Sequence, residues 1–134
     1  MAEDKTIRFV VVTPERKVLE DTADAVVIPA HDGELGVLHD RAPLMCELGI
    51  GQMRYTRGGA VRRLYIDGGF AQVLANQVTV LTDHAAPSEQ ITADMVAEAE
   101  RAVAAITGHT PDAVESRRKA QRRLSVLREL QVHH

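Results

Sequence analysis

The sequence has few of the residues on which nucleic-acid binding, disulfide bonding and membrane insertion depend. It contains no tryptophan, and only 3% of its 134 residues are aromatic, which leaves little surface for stacking unpaired bases. Its single cysteine, Cys46, has no partner for a disulfide within the chain. No run approaches the ~18 apolar residues of a transmembrane helix, and acidic residues precede the first apolar run. We therefore expect a soluble protein of a reducing compartment that does not bind nucleic acid.

The motifs of the common enzyme classes are also missing. The sequence has no P-loop, no dinucleotide-binding glycine motif, no nucleophile elbow and no His-Glu-x-x-His zinc motif. Its one cluster of catalytic residue types runs from His31 to Glu34 and continues at His39 and Asp40. Imidazoles and carboxylates can bind a metal or transfer protons, but Asp-Gly favours a turn here and no spaced Cys/His pair accompanies it. We predict no catalytic residue, no metal and no cofactor.

Residues 1–86 consist of short β-prone runs separated by turn residues. Hairpin signals occur at Asp32-Gly33 and Gly58-Gly59, and Gly68 separates two predicted strands, 61–67 and 69–74. The glycines at positions 49, 51, 58, 59, 68 and 69 are interpreted as turn or bulge positions with positive φ. About nine short strands predict an antiparallel β-sandwich or flattened barrel. The side chains expected in its core are Phe9, Val11, Val27, Leu38, Leu44, Leu64, Ile66, Val78 and Val80.

Residues 87–134 have a helical pattern instead. Thr92 is a suitable N-cap for a first helix that ends at Thr107-Gly108. Thr110, Pro111 and Asp112 then provide an N-cap, a proline at the first helical position and a first-turn acid, which predict a second helix from Pro111 to about Leu130. Its apolar stripe comprises Val114, Ala120, Leu124, Leu127 and Leu130. Two amphipathic helices joined by a short turn predict an antiparallel hairpin, so the fold class is α+β.

The charge is distributed unevenly along the chain. Residues 1–116 carry 10 Lys and Arg against 18 Asp and Glu, a net charge of −8, whereas residues 117–134 carry 6 against 1, a net charge of +5. Such a basic segment is a solvated helix face or a surface for an acidic protein partner. We expect its basic side chains to face water while the leucine stripe packs against the first helix. The residues concerned are Arg117, Arg118, Lys119, Arg122 and Arg123.

The stretch 26–51 carries a recognisable pattern. A strand reaching Pro29 is followed by Gly-Glu-x-Gly-x-Leu at 33–38 and by Ala-Pro-Leu at 42–44. Further along, Gly-Gly-Phe at 68–70 precedes Val-Thr-Val-Leu at 78–81 and Asp-x-Ala at 83–85. This pattern resembles the epsilon subunit of the bacterial F-type ATP synthase, which is called delta in mitochondria. The sandwich and hairpin also match the plan of that family. The chain departs from it at 39–41, where His-Asp-Arg replaces Pro-Gly-His.

The resemblance implies a non-catalytic rotor subunit that couples rotation of the membrane c-ring to the catalytic head. It would be a peripheral component at the cytoplasmic face of the inner (plasma) membrane and would dock on the gamma subunit and on the c-ring loops. By resemblance, Glu34 faces the c-ring, and Arg41 replaces a histidine near gamma. The implied contact residues are Glu34, Leu35, Gly36, His39 and Arg41.

The resemblance also implies a regulatory role for the second helix. In the family this helix can extend along gamma and place basic residues against the beta subunits, which stops ATP hydrolysis. In this chain that role would fall to Arg117, Arg118, Lys119, Arg122 and Arg123. Taken alone, the basic residues fit a solvated helix face equally well.

Two further expectations concern small molecules. Some epsilon subunits bind ATP through Ile or Leu followed by Asp-x-x-Arg-Ala, but this chain keeps only Ile91 and has Thr92 and Met95 at the acid and arginine positions. We therefore predict no high-affinity ATP site. An alternative class is an autonomous β-barrel that binds a small molecule beneath a helical lid. That alternative predicts an apolar cavity, whereas a synthase subunit predicts an exposed face that needs a partner.

Overall fold

The computed structural model describes residues 5–132, which form a β-sandwich followed by two helices. The strands are β1 (Ile7–Val12), β2 (Lys17–Ala23), β3 (Ala25–Ala30), β4 (Gly33–Leu38), β5 (Leu44–Arg57), β6 (Ala60–Leu74), β7 (Gln77–Leu81) and β8 (Ala85–Pro87). A 3-10 turn at Ser88–Gln90 leads to helices α1 (Ala93–Ala105) and α2 (Pro111–Val132). The α+β prediction is confirmed. Residues 1–4 and His133-His134, at the ends of the predicted ranges 1–86 and 87–134, lie outside the described residues.

The strands are hydrogen-bonded in the order β2-β1-β7-β6-β5-β3-β4, with β8 beside β6. Every pair is antiparallel except β1 with β7. β5 and β6 pair along their whole lengths and belong to both layers, because one half of the pair lies beside β7 and the other half beside β3 and β8. The rings of Phe9 on β1 and Tyr55 on β5 meet between the layers, with centroids 4.6 Å apart.

The prediction of positive φ is correct for Gly68 and Gly69 of β6 but not for the two glycines of β5. Strands 61–67 and 69–74 are a single strand that bends at Gly68 and Gly69, whose φ angles are 69° and 104°. Such angles favour glycine, and a Cβ on Gly69 would overlap the carbonyl oxygen of Leu81. The prediction of positive φ at Gly49 and Gly51 is wrong. Gly51 instead permits close packing, because a Cβ there would lie 2.8 Å from the Cβ of Pro29.

The sandwich core contains most of the side chains predicted for it. Phe9, Val11, Leu64, Ile66, Val78 and Val80 are at most 1% exposed, and Leu44 is half-buried against the same cluster. Val27 is only half-buried and Leu38 is 65% exposed, so these two assignments are wrong. Val26 and Val37 pair across β3 and β4 and point inward. Because side chains alternate along a strand, their neighbours Val27 and Leu38 point outward.

Both helices of the hairpin begin directly after the capping residues that predicted them. The Thr92 hydroxyl accepts a hydrogen bond from the Met95 N–H at 3.2 Å, and the Thr110 hydroxyl accepts one from the Ala113 N–H at 3.2 Å. These side chains satisfy backbone donors that a helix start leaves unpaired. Gly108, with φ 94°, lies in the turn between the helices.

The apolar stripe of α2 packs against more of the protein than predicted. It contacts α1, but it also covers Tyr65 of β6, so the hairpin is joined to the sandwich through an apolar cluster. The buried members of this cluster are Tyr65, Ile91, Val96, Val126, Leu127 and Leu130. Val114, predicted to be in the stripe, is 48% exposed. Within residues 5–132, neither helix has the length and hydropathy needed to cross a bilayer.

Candidate partner-binding surfaces

The first predicted contact site lies on the edge strand β4. Glu34 accepts two hydrogen bonds from the guanidinium of Arg54 on β5, at 2.6 and 3.2 Å. The hydrogen bond from Arg54 holds the pKa of Glu34 below its usual range. The Glu34 side chain remains 55% exposed, so a carboxylate of fixed orientation faces outward. Leu35 is half-buried against the core and Gly36 is exposed.

The loop after β4 contains His39 and Arg41. His39 is half-buried, with its Nδ1 3.2 Å from the Asp40 carboxylate, whereas Arg41 is exposed. Asp40 has φ 65° and occupies the position of the glycine in the family pattern. Aspartate is among the residues that tolerate this conformation, and the Asp40 N–H donates to the side-chain oxygen of Asn76 at 2.6 Å. The tripeptide at 39–41 therefore contains a left-handed turn at Asp40, which the sequence alone did not indicate.

A second surface was not found from the sequence. The outer side of β5, β6 and β7 carries four large apolar side chains that are more than half exposed, and we call this surface the outer apolar face. Phe70 and Leu81 pair directly across β6 and β7. Its members are Met45, Phe70, Leu74 and Leu81, which are 68%, 56%, 51% and 53% exposed. Residues 70–74 of β6 are largely apolar at both alternating positions, and Leu81 ends the otherwise alternating β7, so the sequence pattern did not reveal this outward-facing surface.

The basic residues of α2 do not all face water. Arg118 pairs with Glu115 within the helix, Arg117 donates to the Gly108 carbonyl at 2.6 Å, and Lys119 is exposed. Arg122 Nε donates to the Ile50 carbonyl at 2.9 Å, and Arg123 Nε donates to the Asp67 carboxylate at 2.9 Å. Arg123 is half-buried, so the expectation that it faces water is wrong, whereas Arg122 stays exposed although it binds the sandwich backbone. The reason is that α2 lies on β5 and β6 as well as on α1.

The carboxylate that receives Arg123 is buried. Asp67 is 8% exposed, and the Tyr65 hydroxyl donates to the same carboxylate oxygen at 3.1 Å. The Asp67 N–H lies 3.2 Å from the Thr82 hydroxyl oxygen and 3.1 Å from the His84 carbonyl. Burial, followed by the charge of Asp67, raises the pKa of Tyr65 well above its usual range, so the phenol stays a donor.

The interior of the sandwich is filled by side chains. Phe9, Met53 and Ile66 are among those less than 2% exposed. Two clefts, of about 780 and 930 Å³, lie instead along the junction of the sandwich with the helices, and charged side chains line parts of both. Within residues 5–132, no group of three or more His, Cys, Asp and Glu side chains is placed to hold a metal ion. A ligand-binding barrel would need an apolar cavity, whereas these two clefts lie outside the sandwich core.

The sequence matches a known family and many of its members. The model of the ATP synthase delta/epsilon chain β-sandwich domain matches residues 6–88. The ATP synthase epsilon chain of Symbiobacterium thermophilum is 45% identical over 92 residues, which cover 68% of this chain and 66% of that protein. The epsilon chain of Desulfitobacterium hafniense strain DCB-2 is 43% identical over 108 residues, 80% of each chain. That of Rhodopirellula baltica is 40% identical over 118 residues, 88% of this chain and 92% of the other.

Solved structures share the fold of the sandwich and the helices. A chain of the Euglena gracilis mitochondrial ATP synthase aligns with a TM-score of 0.78 and 23% identity, covering 100% of this chain and 85% of that one. A chain from the central stalk and c-ring of the Tetrahymena thermophila enzyme aligns with a TM-score of 0.69 and 12% identity, covering 96% and 98%. The chain is thus a component of a membrane-associated enzyme complex. It belongs to the ATP synthase delta/epsilon chain family, as an epsilon-type subunit of the central stalk.

Proposed function

We propose that this subunit is a non-catalytic connector that joins the gamma subunit to the c-ring, so that c-ring rotation reaches the catalytic head. The observation that carries this proposal is the outer apolar face. Four large apolar side chains on one sheet surface are each more than half exposed, and large exposed apolar patches mark interaction sites on soluble proteins. Fully burying one such side chain stabilises a complex by about 1.5–3 kcal/mol before the costs of association are subtracted.

The gamma subunit is the proposed occupant of the outer apolar face. A rotor subunit must stay attached while torque passes through it, and a lasting interface is more apolar than a transient one. The bend of β6 at Gly68 and Gly69 brings Phe70 beside Leu81 on this face. The sandwich, predicted as residues 1–86, would form the attachment unit.

The polar loops of the c-ring are the proposed partner of β4 and the loop after it. Glu34 would present its carboxylate to those loops, held in place by Arg54 at 2.6 and 3.2 Å. Gly36 leaves the backbone of edge strand β4 uncovered, and Leu35 anchors the strand to the core. Arg41 would lie near gamma, with His39 supporting the loop. The Tetrahymena chain of the same fold was solved with its central stalk and c-ring.

The helical hairpin, predicted as residues 87–134, is proposed as the regulatory unit. Its basic side chains would oppose acidic surfaces of the beta subunits in an extended state and stop ATP hydrolysis. Attachment to the c-ring would hold the subunit at the cytoplasmic face of the inner (plasma) membrane as a peripheral component. The residues proposed for this regulation are Arg117, Arg118, Lys119, Arg122 and Arg123.

A binding assay with purified gamma tests the outer apolar face. We expect the double variant Phe70→Ser/Leu81→Ser to bind gamma at least about tenfold more weakly, because tenfold corresponds to only about 1.4 kcal/mol. The matched control is Val61→Ser, which removes an apolar side chain that is 51% exposed and lies outside this face. Circular dichroism should be unchanged in both. Equal affinities of wild type and double variant, or a pull-down from native membranes that recovers no synthase subunit, would overturn the proposal.

A further inference from the structure

Two arginines of α2 are bound by the sandwich in this structure. We propose that Asp67 and the Ile50 carbonyl form a latch that holds α2 against the sandwich by binding Arg123 and Arg122, and that this latch competes with any acidic partner surface for the same two guanidinium groups. In its effect on hydrolysis this inference rests on the proposed regulatory function. The docking of α2 itself is a property of the isolated chain.

The first half of the latch is the pair of Arg123 with Asp67. The Asp67 side chain is 11% exposed and that of Arg123 is 40% exposed. A carboxylate this buried requires a compensating cation and hydrogen bonds. Arg123 provides the cation at 2.9 Å and Tyr65 provides a second donor at 3.1 Å. If α2 left the sandwich, Asp67 would lose its cation, and this loss opposes undocking.

The second half is the hydrogen bond from Arg122 to the Ile50 carbonyl. The ladder between β3 and β5 is interrupted between Val27 and Ala30, and Pro29 in that interval has no N–H to donate. This part of β5 therefore has acceptors that β3 does not use. The guanidinium of Arg122 lies directly over Gly51, since a Cβ built there would be in ordinary contact with Nη2 at 3.7 Å. The guanidinium takes the place of a strand partner.

A third contact fixes the position of α2 along the sheet. Glu129, seven positions after Arg122, accepts a hydrogen bond from Gln52 of β5 at 3.0 Å, and Gln52 in turn accepts one from Arg63 of β6 at 2.9 Å. Val126, 1% exposed, lies between these polar contacts. Residues spaced by three, four and seven share one face of a helix. Apolar packing alone would tolerate sliding, whereas these directional contacts select one register.

The latch sets the balance between two states of the hairpin. Arg122 and Arg123 cannot bind the sandwich and an acidic partner at the same time. A ligand shifts a two-state equilibrium only by the difference between its affinities for the two states. A weaker latch should therefore raise the fraction of extended hairpin, whereas loss of the arginines should weaken both states.

Hydrogen exchange of the isolated full-length chain tests the latch directly. In Asp67→Asn, which removes the charge and keeps the size, we expect exchange of residues 111–132 to become at least about tenfold faster while β1 exchange is unchanged. The matched control is Glu115→Gln, because Glu115 pairs with Arg118 inside α2 and not with the sandwich. If Asp67→Asn does not fold, Tyr65→Phe should give a smaller change in the same direction. Unchanged exchange of α2 in the folded variant would overturn the latch.

ATP hydrolysis by the reconstituted synthase separates the latch from the regulatory function. If the latch and the regulatory proposal are both correct, Asp67→Asn lowers ATP hydrolysis because it favours the extended hairpin. Arg122→Ala/Arg123→Ala then raises hydrolysis. Variants that only damaged the structure would not change the hydrolysis rate in opposite directions. If α2 exchange rises in Asp67→Asn but hydrolysis responds to no variant, the latch stands and the regulatory proposal fails. If hydrolysis rises in Asp67→Asn although α2 is loosened, competition for the arginines is refuted.

Discussion

Asp40 and Asn76 hydrogen-bond each other across two turns that are 36 positions apart in the sequence. The Asp40 N–H donates to Asn76 Oδ1 at 2.6 Å, and Asn76 Nδ2 lies 3.4 Å from the Asp40 carboxylate. Both residues have positive φ, 65° and 63°, a region in which Asn and Asp are enriched among non-glycine residues. The turn between β6 and β7 thus holds the loop that contains Arg41, one of the proposed contacts with gamma.

We expect Asn76→Ala to loosen this loop. The variant loses the acceptor for the Asp40 N–H and places alanine at positive φ, which together should lower the free energy of unfolding by about 1–3 kcal/mol. Asn76→Gly is the matched control, because it restores conformational freedom without restoring the acceptor. Urea unfolding should rank the proteins as wild type, Asn76→Gly and then Asn76→Ala. Equal stability of all three would show that the hydrogen bond does not hold the loop.

Leu64 tests the sandwich core. It is 1% exposed, so Leu64→Ala should lower the free energy of unfolding by about 2–5 kcal/mol through lost apolar contact and a residual cavity. Leu38→Ala makes the same truncation at a side chain that is 65% exposed and should change stability by no more than about 0.5 kcal/mol. Denaturant melts of the two variants give the comparison. A similar loss in both would place Leu38 in a buried environment and contradict the register of β3 and β4.

Local sequence patterns predicted where the helices and strands lie better than which side of each strand faces the core. The caps Thr92 and Thr110 were identified because capping depends on residues three positions apart. The inward side of β3 was not, since Val26, Val27 and Ile28 are apolar at both alternating positions and period-2 alternation cannot choose between them. The outer apolar face was not predicted either. Its exposure depends on which strands close the sandwich, and local periodicity carries no information about that.

The bend in β6 depends on Gly69. A Cβ at this position would overlap the Leu81 carbonyl oxygen and lie 2.8 Å from the Thr82 Cα, and φ is 104°. Backbone strain of this kind usually costs about 1–3 kcal/mol. Gly69→Ala should destabilise the sandwich by more than that, because the added Cβ also overlaps neighbouring backbone atoms. Gly36→Ala is the control, because a Cβ there meets nothing within 4 Å and φ is not positive. Thermal unfolding should separate them clearly, and equal melting temperatures would refute the close approach of β6 and β7.

The two tyrosines predict how stability changes at alkaline pH. Burial raises the pKa of both Tyr55 and Tyr65, with neighbouring Asp21 and Asp67 adding to the effect. In the unfolded chain they should titrate near 10. As pH rises through that value the unfolded state loses protons first, so stability should fall above about pH 10. Tyrosinate absorbance should stay low in the native protein at pH values where the denatured protein absorbs strongly, and Tyr65→Phe should reduce the alkaline loss of stability. Titration of the native protein near 10 without unfolding would contradict this prediction.

The contact between Arg123 and Asp67 could not be predicted from the sequence. These residues are 56 positions apart, and the charge run at 117–123 gave no indication that two of its five members bind the sandwich. The sequence of β6, in which Asp67 precedes two glycines, likewise gives no indication that this carboxylate is buried. The tail was recognised as basic, but the division of its charges between sandwich and solvent is a tertiary property.

Removing residues 111–134 tests the proposed regulatory role of the second helix. The sandwich should stay folded and assembled, because its own core cluster contains no residue of α2, although Tyr65 and Ile91 lose their cover. ATP hydrolysis by the reconstituted enzyme should rise. Inhibition by the intact tail should weaken with salt, because the Debye length falls from about 10 Å at 0.1 M to about 3 Å at 1 M. Equal hydrolysis rates of truncated and intact proteins at low salt would show that the tail does not inhibit.

A double variant separates partner contacts from the latch. Arg117→Ala/Arg118→Ala changes two side chains whose hydrogen bonds lie within the hairpin, to the Gly108 carbonyl and to Glu115. We therefore expect docking of α2 to be unchanged, as hydrogen exchange would report, while part of the increase in hydrolysis seen on truncation persists. Arg122→Ala/Arg123→Ala should also raise hydrolysis, but it should loosen α2 in hydrogen exchange as well, because it removes two partner contacts and the latch together. If Arg117→Ala/Arg118→Ala hydrolyses ATP at the wild-type rate, the first turns of α2 do not contact an acidic partner, and inhibition would depend on residues 119–132 alone.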